Sequence, residues 1–259
     1  MNTILENAKD IAINAGELIK SLYRINGIQS AEKQDHTLVT KADISSNEFI
    51  IDKIMKFYPN DGIISEESGT VFPPDKEYVW IIDPLDGTTN FSLGLHYWGV
   101  SIARLKHGQP DLAIIYFPLL GELYSAQMGH GARLNEKLLK LNIKESLHRN
   151  QIFTHCSRTQ QLYNVTIKYK TRIFGSAAFD VCAVASGRAI LAFNATPKIW
   201  DFAGSWVIIR EAGGEIATLN GAEPFPLVPN HDYKDASYPL LATPSAIVFK
   251  YAKTHILPK

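Results

Sequence analysis

The stretch that most constrains this chain is Val79-Trp80-Ile81-Ile82-Asp83-Pro84-Leu85-Asp86-Gly87-Thr88-Thr89-Asn90. Val79 to Ile82 is apolar, mostly β-branched, and ends abruptly in charge. That is the pattern of a buried strand delivering its last residues to the end of a sheet. Pro84, which has no N–H to give, is expected to end the ladder, and Gly87 to permit a tight bend. Asp83 and Asp86 are then presented together at the mouth of one turn. Carboxylates this close repel unless a cation or a proton sits between them. A hard divalent ion such as Mg²⁺, bound by carboxylates and substrate oxygens, answers that repulsion. Gly87, Thr88 and Thr89 follow with main-chain N–H groups and hydroxyls suited to holding a phosphate beside the ion. An EF-hand does not fit, because its acidic residues alternate ahead of the glycine.

Around this turn the first half reads as helices and a meander. Ile4, Ala8, Ile11, Ala15, Leu18 and Leu22 fall on one helical stripe, with Asn26-Gly27 as its stop. Glu32 to Thr37 is polar and reads as a loop, with Lys33 as a solvated lysine. Asp43 is expected to open a second helix as its N-cap. Ile44, Ile51, Met55 and Tyr58 form that helix's stripe, beside Ile50, Ile54 and Phe57, and Pro59-Asn60-Asp61-Gly62 ends it. Val100–Leu105, Leu112–Phe117 and Glu122–Ala126 read as a β-meander. The basic segment Lys137–Asn150 places a boundary between halves, 1–145 and 146–259.

The second half alternates strand and helix, the pattern of an α/β layer. Helices are expected over Thr159–Tyr169, Ala177–Ser186 and Asp201–Ala212, and a closing helix from Thr243-Pro244. Gly175-Ser176-Ala177 puts small residues and N–H groups at a helix start, where the dipole favours an anion. Asp201 sits at another helix start, either as an N-cap or as a carboxylate kept ionised by the positive helix end.

Trp80 to Asn90 closely resembles the signature of the inositol monophosphatase family, within the Mg²⁺-dependent, lithium-sensitive sugar-phosphatase superfamily. Leu38-Val39-Thr40-Lys41-Ala42-Asp43, Ser65-Glu66-Glu67-Ser68 and Trp200-Asp201-Phe202-Ala203-Gly204 match in that family's order. The resemblance implies an α/β fold, a layered αβαβα sandwich with an α+β first half, an α/β second half and the site between them. It implies hydrolysis of a phosphate monoester on a small polyol, sugar or nucleotide. It also implies one Mg²⁺ on Glu66, Asp83 and the Leu85 carbonyl, a second on Asp83, Asp86 and Asp201, and a third, weaker ion sharing Glu66. Thr88 with Asp43 would orient and deprotonate the attacking water. Gly87, Thr88, Gly175 and Ser176 would hold the phosphate, with Ala177 beside the leaving group. A lysine placed like Lys33 lies near the metals in that family, and its members are commonly homodimers.

One position departs from the family. Seven residues before Asp201 an inositol-binding glutamate is expected, and this chain has Asn194. An amide lacks the charge that strengthens bonds to hydroxyls, so weaker inositol preference is expected. Lys198 adds a cation to the same loop, which would suit a leaving group with a second anionic group, but its expected role is that of a solvent-facing loop lysine. Alternatives within the superfamily are phosphatases of fructose 1,6-bisphosphate, histidinol phosphate or 3′-phosphoadenosine 5′-phosphate. A further alternative is a non-catalytic regulatory relative that binds a protein or RNA.

Composition narrows the partners. Lys plus Arg and Asp plus Glu are 26 each, so no global field favours nucleic acid or membrane. An anionic substrate must be attracted locally. Two cysteines, Cys156 and Cys182, do not make a disulfide framework and fit a reducing compartment. Glu6 and Asp10 interrupt the first apolar residues, unlike a signal peptide, and no apolar run approaches the ~20 residues of a membrane helix. The expected location is the cytoplasm.

Overall fold

The computed structural model describes residues 3–33, 38–141 and 150–259. Helix α1 (Thr3–Leu22) buries the middle of the expected stripe, Ala8, Ile11 and Ala15, together with the adjoining Ala12 and Ile19, and leaves Ile4, Leu18 and Leu22 half-buried. Full burial of Ile11 and Ile19 stabilises by roughly 1.5–3 kcal/mol each. The polar segment after it is not all loop. Ala31–Glu32 pairs antiparallel with Leu38–Val39, and residues 34–37 of the expected loop lie outside the described residues.

Helix α2 (Lys41–Phe57) starts one turn earlier than expected. Thr40, not Asp43, is the N-cap; its hydroxyl accepts from the Ala42 N–H, and Asp43 accepts from the Thr40 N–H. Asp43 is thus the reciprocal partner of a capping box. The buried face also differs from the expected stripe. Ala42, Ser46, Asn47, Ile50 and Ile54 are inside, whereas Ile44, Met55 and Phe57 are 41%, 40% and 50% exposed. The inward face is part polar because it fastens to the strand below: Ser46 Oγ donates to the Pro84 carbonyl at 2.9 Å, and Ser65 Oγ to Asn47 Oδ1 at 2.6 Å.

Strand Tyr78–Asp86 lies between Gly62–Ser65, to which it is parallel, and Gly99–Lys106, to which it is antiparallel. The meander Gly99–Lys106, Gln109–Phe117, Glu122–Gln127 continues through Ala132–Leu134 and Lys137–Leu138 to complete a seven-stranded sheet. Pro84 does not end the ladder. Asp83 pairs with Ser101 and Asp86 with Gly99, so three steps on one strand oppose two on the other, a β-bulge over Pro84-Leu85. Residues three apart on a regular strand face opposite sides; the extra residue returns Asp86 to the side of Asp83. Gly87 follows with φ 89°, and a Cβ there would stand 2.7 Å from the Tyr97 carbonyl oxygen. Only glycine accommodates both demands. The short helix α3 (Thr88–Ser92) begins directly after it.

The second sheet has five strands, in the order Lys170–Arg172, Ile152–His155, Leu191–Asn194, Leu240–Thr243, Glu215–Thr218. The first three are mutually parallel and the last two join antiparallel. Helix α4 (Thr159–Leu162) is a single turn, not the expected helix to Tyr169. Tyr163–Val165 instead pairs antiparallel with Ile256–Pro258. Helices α5 (Ala177–Ala185) and α6 (Ile199–Glu211) fill the space between the sheets, where Phe179, Val184, Phe202 and Ile208 share a core with Val79, Ile81 and Ala242. On the far side of the first sheet, Ile11, Ile19, Ile50 and Ile54 pack on Trp80, Ile82 and Ile102. Helix α7 (Ala246–His255), capped by Ser245 and not by Thr243, covers the outer face of the second sheet beside Phe153, Phe193 and Leu241. The layers are therefore α-β-α-β-α, as expected. The boundary near residue 145 lies outside the described residues. Among them, no helix is long and apolar enough to cross a membrane.

Candidate metal and phosphate-ester site

The parallel pairing of Gly62–Ser65 with the central strand sets Ser65 opposite Ile82, so Glu66 emerges beside Asp83. Its N–H donates to the Ile82 carbonyl at 3.2 Å. On the same side, α6 packs closely on the sheet: a Cβ on Gly204 would stand 2.8 Å from Ser101 Oγ. This close approach carries the start of α6, with Asp201, to the two carboxylates. Carboxylate oxygens of Glu66, Asp83 and Asp201 lie within 4.8 Å of one another.

Each of the three is held and each is electrostatically loaded. Leu85 N–H donates to Asp83 at 3.0 Å, and Lys198 N–H donates to Asp201 at 2.7 Å. Burial, then the charges of Glu66, Asp86 and Asp201, raises the Asp83 carboxyl well above its ordinary value. Burial followed by Glu66 and Asp86 does the same to Asp201. Glu66 is pushed up to about 7, first by burial, with Lys33 opposing. One buried and two half-buried carboxyls that resist ionising together, with only oxygen donors, match the demands of a hard divalent cation.

Asp86 stands beside the trio, its charge among those that raise Asp83 and Asp201. It faces the start of α5, where Ser176 Oγ donates to it, as do the N–H groups of Ala177 at 3.1 Å and Ala178 at 3.2 Å. Burial raises its carboxyl to about 6, with these donors pulling the other way. The helix start expected to offer free N–H groups to a phosphate thus already holds an anion, supplied by the chain itself. Ser176 also accepts from the Phe179 N–H as N-cap.

On the other flank, Thr88 Oγ1 lies 2.8 Å from Asp43 Oδ1 and 3.0 Å from the Leu85 carbonyl. One hydroxyl proton serves one acceptor at a time, and the charged one is the stronger. Asp43 is raised by burial, against the pull of Thr40 and Thr88.

A pocket of about 800 Å³ opens over the cluster, lined by Glu66, Asp201, Ala177 and Asn194 among others. Gly175 instead lines a second cavity of about 420 Å³ with Asn90 and Tyr97. Lys33 is not a solvated loop lysine: its ammonium lies 2.9 Å from Glu66 Oε1 and also bonds Glu67. Lys198 is half-buried in the pocket wall and donates to the Lys234 carbonyl at 2.8 Å.

The inositol monophosphatase family matches residues 1–246. The chain belongs to that family. A relative named Nus factor SuhB from Pasteurella multocida is 36% identical over 258 residues, covering 95% of this chain and 94% of that protein. The solved extragenic suppressor protein suhB of Bartonella henselae aligns with a TM-score of 0.82 at 27% identity, covering 97% of this chain and 98% of that one. An IMPase from Thermotoga maritima aligns at 0.80 with 25% identity, covering 96% and 95%.

Some residues around this candidate site carried weak signals in the sequence. Ser46 and Asn47 looked like ordinary polar helix positions. Asp180 was more legible, as the one charge in an otherwise apolar α5. It is fully buried, accepts from Thr154 Oγ1 and the Asn194 amide, and is pushed up to about 8 by burial.

Proposed function

We propose that this chain is a Mg²⁺-dependent phosphomonoesterase acting on a small polyol, sugar or nucleotide phosphate. The observation that carries the reading is the convergent trio Glu66, Asp83 and Asp201, with Asp83 buried and the others half-buried, and the Thr88–Asp43 pair on its flank. The trio would hold the cation. Bound there, Mg²⁺ would supply neutralisation of phosphoryl charge and a lowered pKa for water. The chain's own residues do the rest. Thr88, its proton committed to Asp43, offers its oxygen lone pairs to orient a water proton. Asp43, made more basic by burial, accepts the proton passed through Thr88. Asp86 and the α5 start brace the site from behind and keep the Ala177 backbone at the pocket wall.

The test is phosphate release from a panel of esters with Mg²⁺ and with EDTA. Release that requires Mg²⁺ supports the reading; no release from any ester overturns it. A second reading, a regulatory relative that binds a protein or RNA, is favoured by the name Nus factor carried by the curated relative. It predicts no turnover in the same assay.

A further inference from the structure

The chain is neutral overall, yet its charge is not evenly spread. Residues 151–179 contain no Asp or Glu, and neither do residues 236–259. At 26 acids in 259 residues, stretches of this length would ordinarily carry several. The fold brings these two distant stretches together as one outer layer. Tyr163–Val165 pairs with Ile256–Pro258. The Thr166 N–H donates to the His255 carbonyl at 2.9 Å, and the Lys259 N–H to the Leu162 carbonyl at 3.0 Å. The rings of Tyr169 and Tyr251 lie 6.0 Å apart, so the lysines beside them share one border.

The cations of this layer are Lys168, Lys170, Arg172, Lys250, Lys253 and Lys259, all exposed. Among the described residues, none of the six is in an ion pair. Arg172 and Lys259 donate to backbone carbonyls, those of Thr171 and Gln160, at 2.8 and 2.7 Å. Lys170 and Arg172 lie two apart on the edge strand of the second sheet, so their side chains leave one face about 7 Å apart. Lys250 and Lys253 are three apart on α7, neighbours at about 5–6 Å. Like charges this near repel, and the layer has no acid to offset them. An anion from outside would.

Half-buried Tyr169, Tyr251 and His255 stand among these cations, with Tyr251 and His255 stacked at 4.1 Å. Cations spread over a strand edge and a helix, interleaved with aromatic rings, fit a flexible polymer with one negative charge per unit and a flat base on each. A folded acidic protein offers no such repeat. A membrane fits less well, because α7 turns Val248 and Ala252 into the core and leaves Ile247 and Leu257 as separate exposed apolar groups. An interfacial helix needs a continuous apolar face directed outward.

We propose that this acid-free layer binds single-stranded nucleic acid through its phosphates, without reading sequence. The inference does not depend on the phosphatase reading, since none of the six cations lines the pocket over the carboxylates. Nor does it require a net positive chain: acids farther away than a Debye length of about 8–10 Å are screened from the layer.

The test is fluorescence anisotropy of a labelled single-stranded RNA of ~20 nucleotides titrated with the full chain. With about four phosphates neutralised, affinity should fall ~50-fold between about 50 and about 200 mM salt. A quadruple variant, Lys168→Gln, Lys170→Gln, Lys250→Gln and Lys253→Gln, should bind ~10-fold or more weakly at the lower salt and lose most of the salt dependence. A control variant with the same charge change at exposed positions of the first half, Lys56→Gln, Lys106→Gln, Lys137→Gln and Lys140→Gln, should bind like wild type. Circular dichroism verifies both folds. Single-stranded DNA of the same sequence should bind comparably; a strong preference for RNA would overturn the phosphate basis. No binding at the lower salt overturns the inference, as does equal weakening in the two variants. Tighter binding of poly-glutamate or of phosphatidylserine vesicles than of RNA would give the surface to an acidic protein or a membrane and overturn it likewise.

Discussion

Lys33→Gln is expected to tighten Mg²⁺ binding. The Lys33 ammonium lies 2.9 Å from Glu66 Oε1 and bonds Glu67 as well, so it competes for a carboxylate the cation would use. At that separation and an effective dielectric of about 20, the raw attraction is on the order of 6 kcal/mol. Most of it is offset when the displaced ammonium regains water. A net ~1–2 kcal/mol, or roughly 5–30-fold in Mg²⁺ affinity, is what remains. Protons set the conditions. The Glu66 carboxyl sits at about 7 chiefly through burial, and Lys33 pulls it down. Without Lys33 it rises, and protons compete more strongly at neutral and lower pH. The gain is therefore read at about pH 8.5 and shrinks toward about pH 6.5. Calorimetric titration of Mg²⁺ into EDTA-treated wild type and variant at both pH values is the assay. Unchanged or weaker binding at the higher pH would refute the reasoning, since it would mean that Lys33 and the cation do not share Glu66.

Thr88→Ala removes an orienting hydroxyl and no charge, so turnover should fall by ~10²–10⁴-fold while the Mg²⁺ concentration giving half-maximal rate stays nearly constant. Equal loss in both would make Thr88 structural. Asp180→Asn tests the buried carboxyl behind Asn194. Its folded-state value of about 8 lies above the unfolded one, so its stabilising effect is full below about pH 4 and is lost as pH rises to about 8. The amide is neutral throughout and still accepts from Thr154, so the variant should lack that decline and gain on wild type by up to ~1.4 kcal/mol per pH unit. Urea unfolding across that window is the measurement, and parallel pH profiles would contradict the argument.

How much was legible in the sequence follows from where local pattern and long-range pairing agree. The first helix, the meander and α5 carry their own periodicity and fold as expected. Helix α2 misleads because its site-facing side uses Ser46 and Asn47 to bond Pro84 and Ser65, so counting apolar residues selects the wrong face. The segment after Leu162 has helical spacing, yet Tyr163–Val165 pairs with Ile256–Pro258, a partner too distant for any local pattern to signal. The acidic turn was readable as a pair of carboxylates. Its bulge was not, because Pro84 looks like a strand end until the Ser101 and Gly99 pairings on either side of it are known. Lys33 was misjudged for a related reason: nothing near it in the chain reveals that Glu66 and Glu67 stand within reach.

The central claim is that Glu66, Asp83 and Asp201 hold the divalent cation on which ester hydrolysis depends. The most direct measurement is phosphate release against Mg²⁺ concentration, for EDTA-treated wild type and Asp201→Asn. Release should be absent without metal and restored by Mg²⁺. The variant, with one ligand charge removed and shape kept, should require at least ~10–100-fold more Mg²⁺, the loss that changes to outlying metal-site groups alone produce. Release that persists in EDTA, or a variant with the wild-type Mg²⁺ dependence, would contradict the claim.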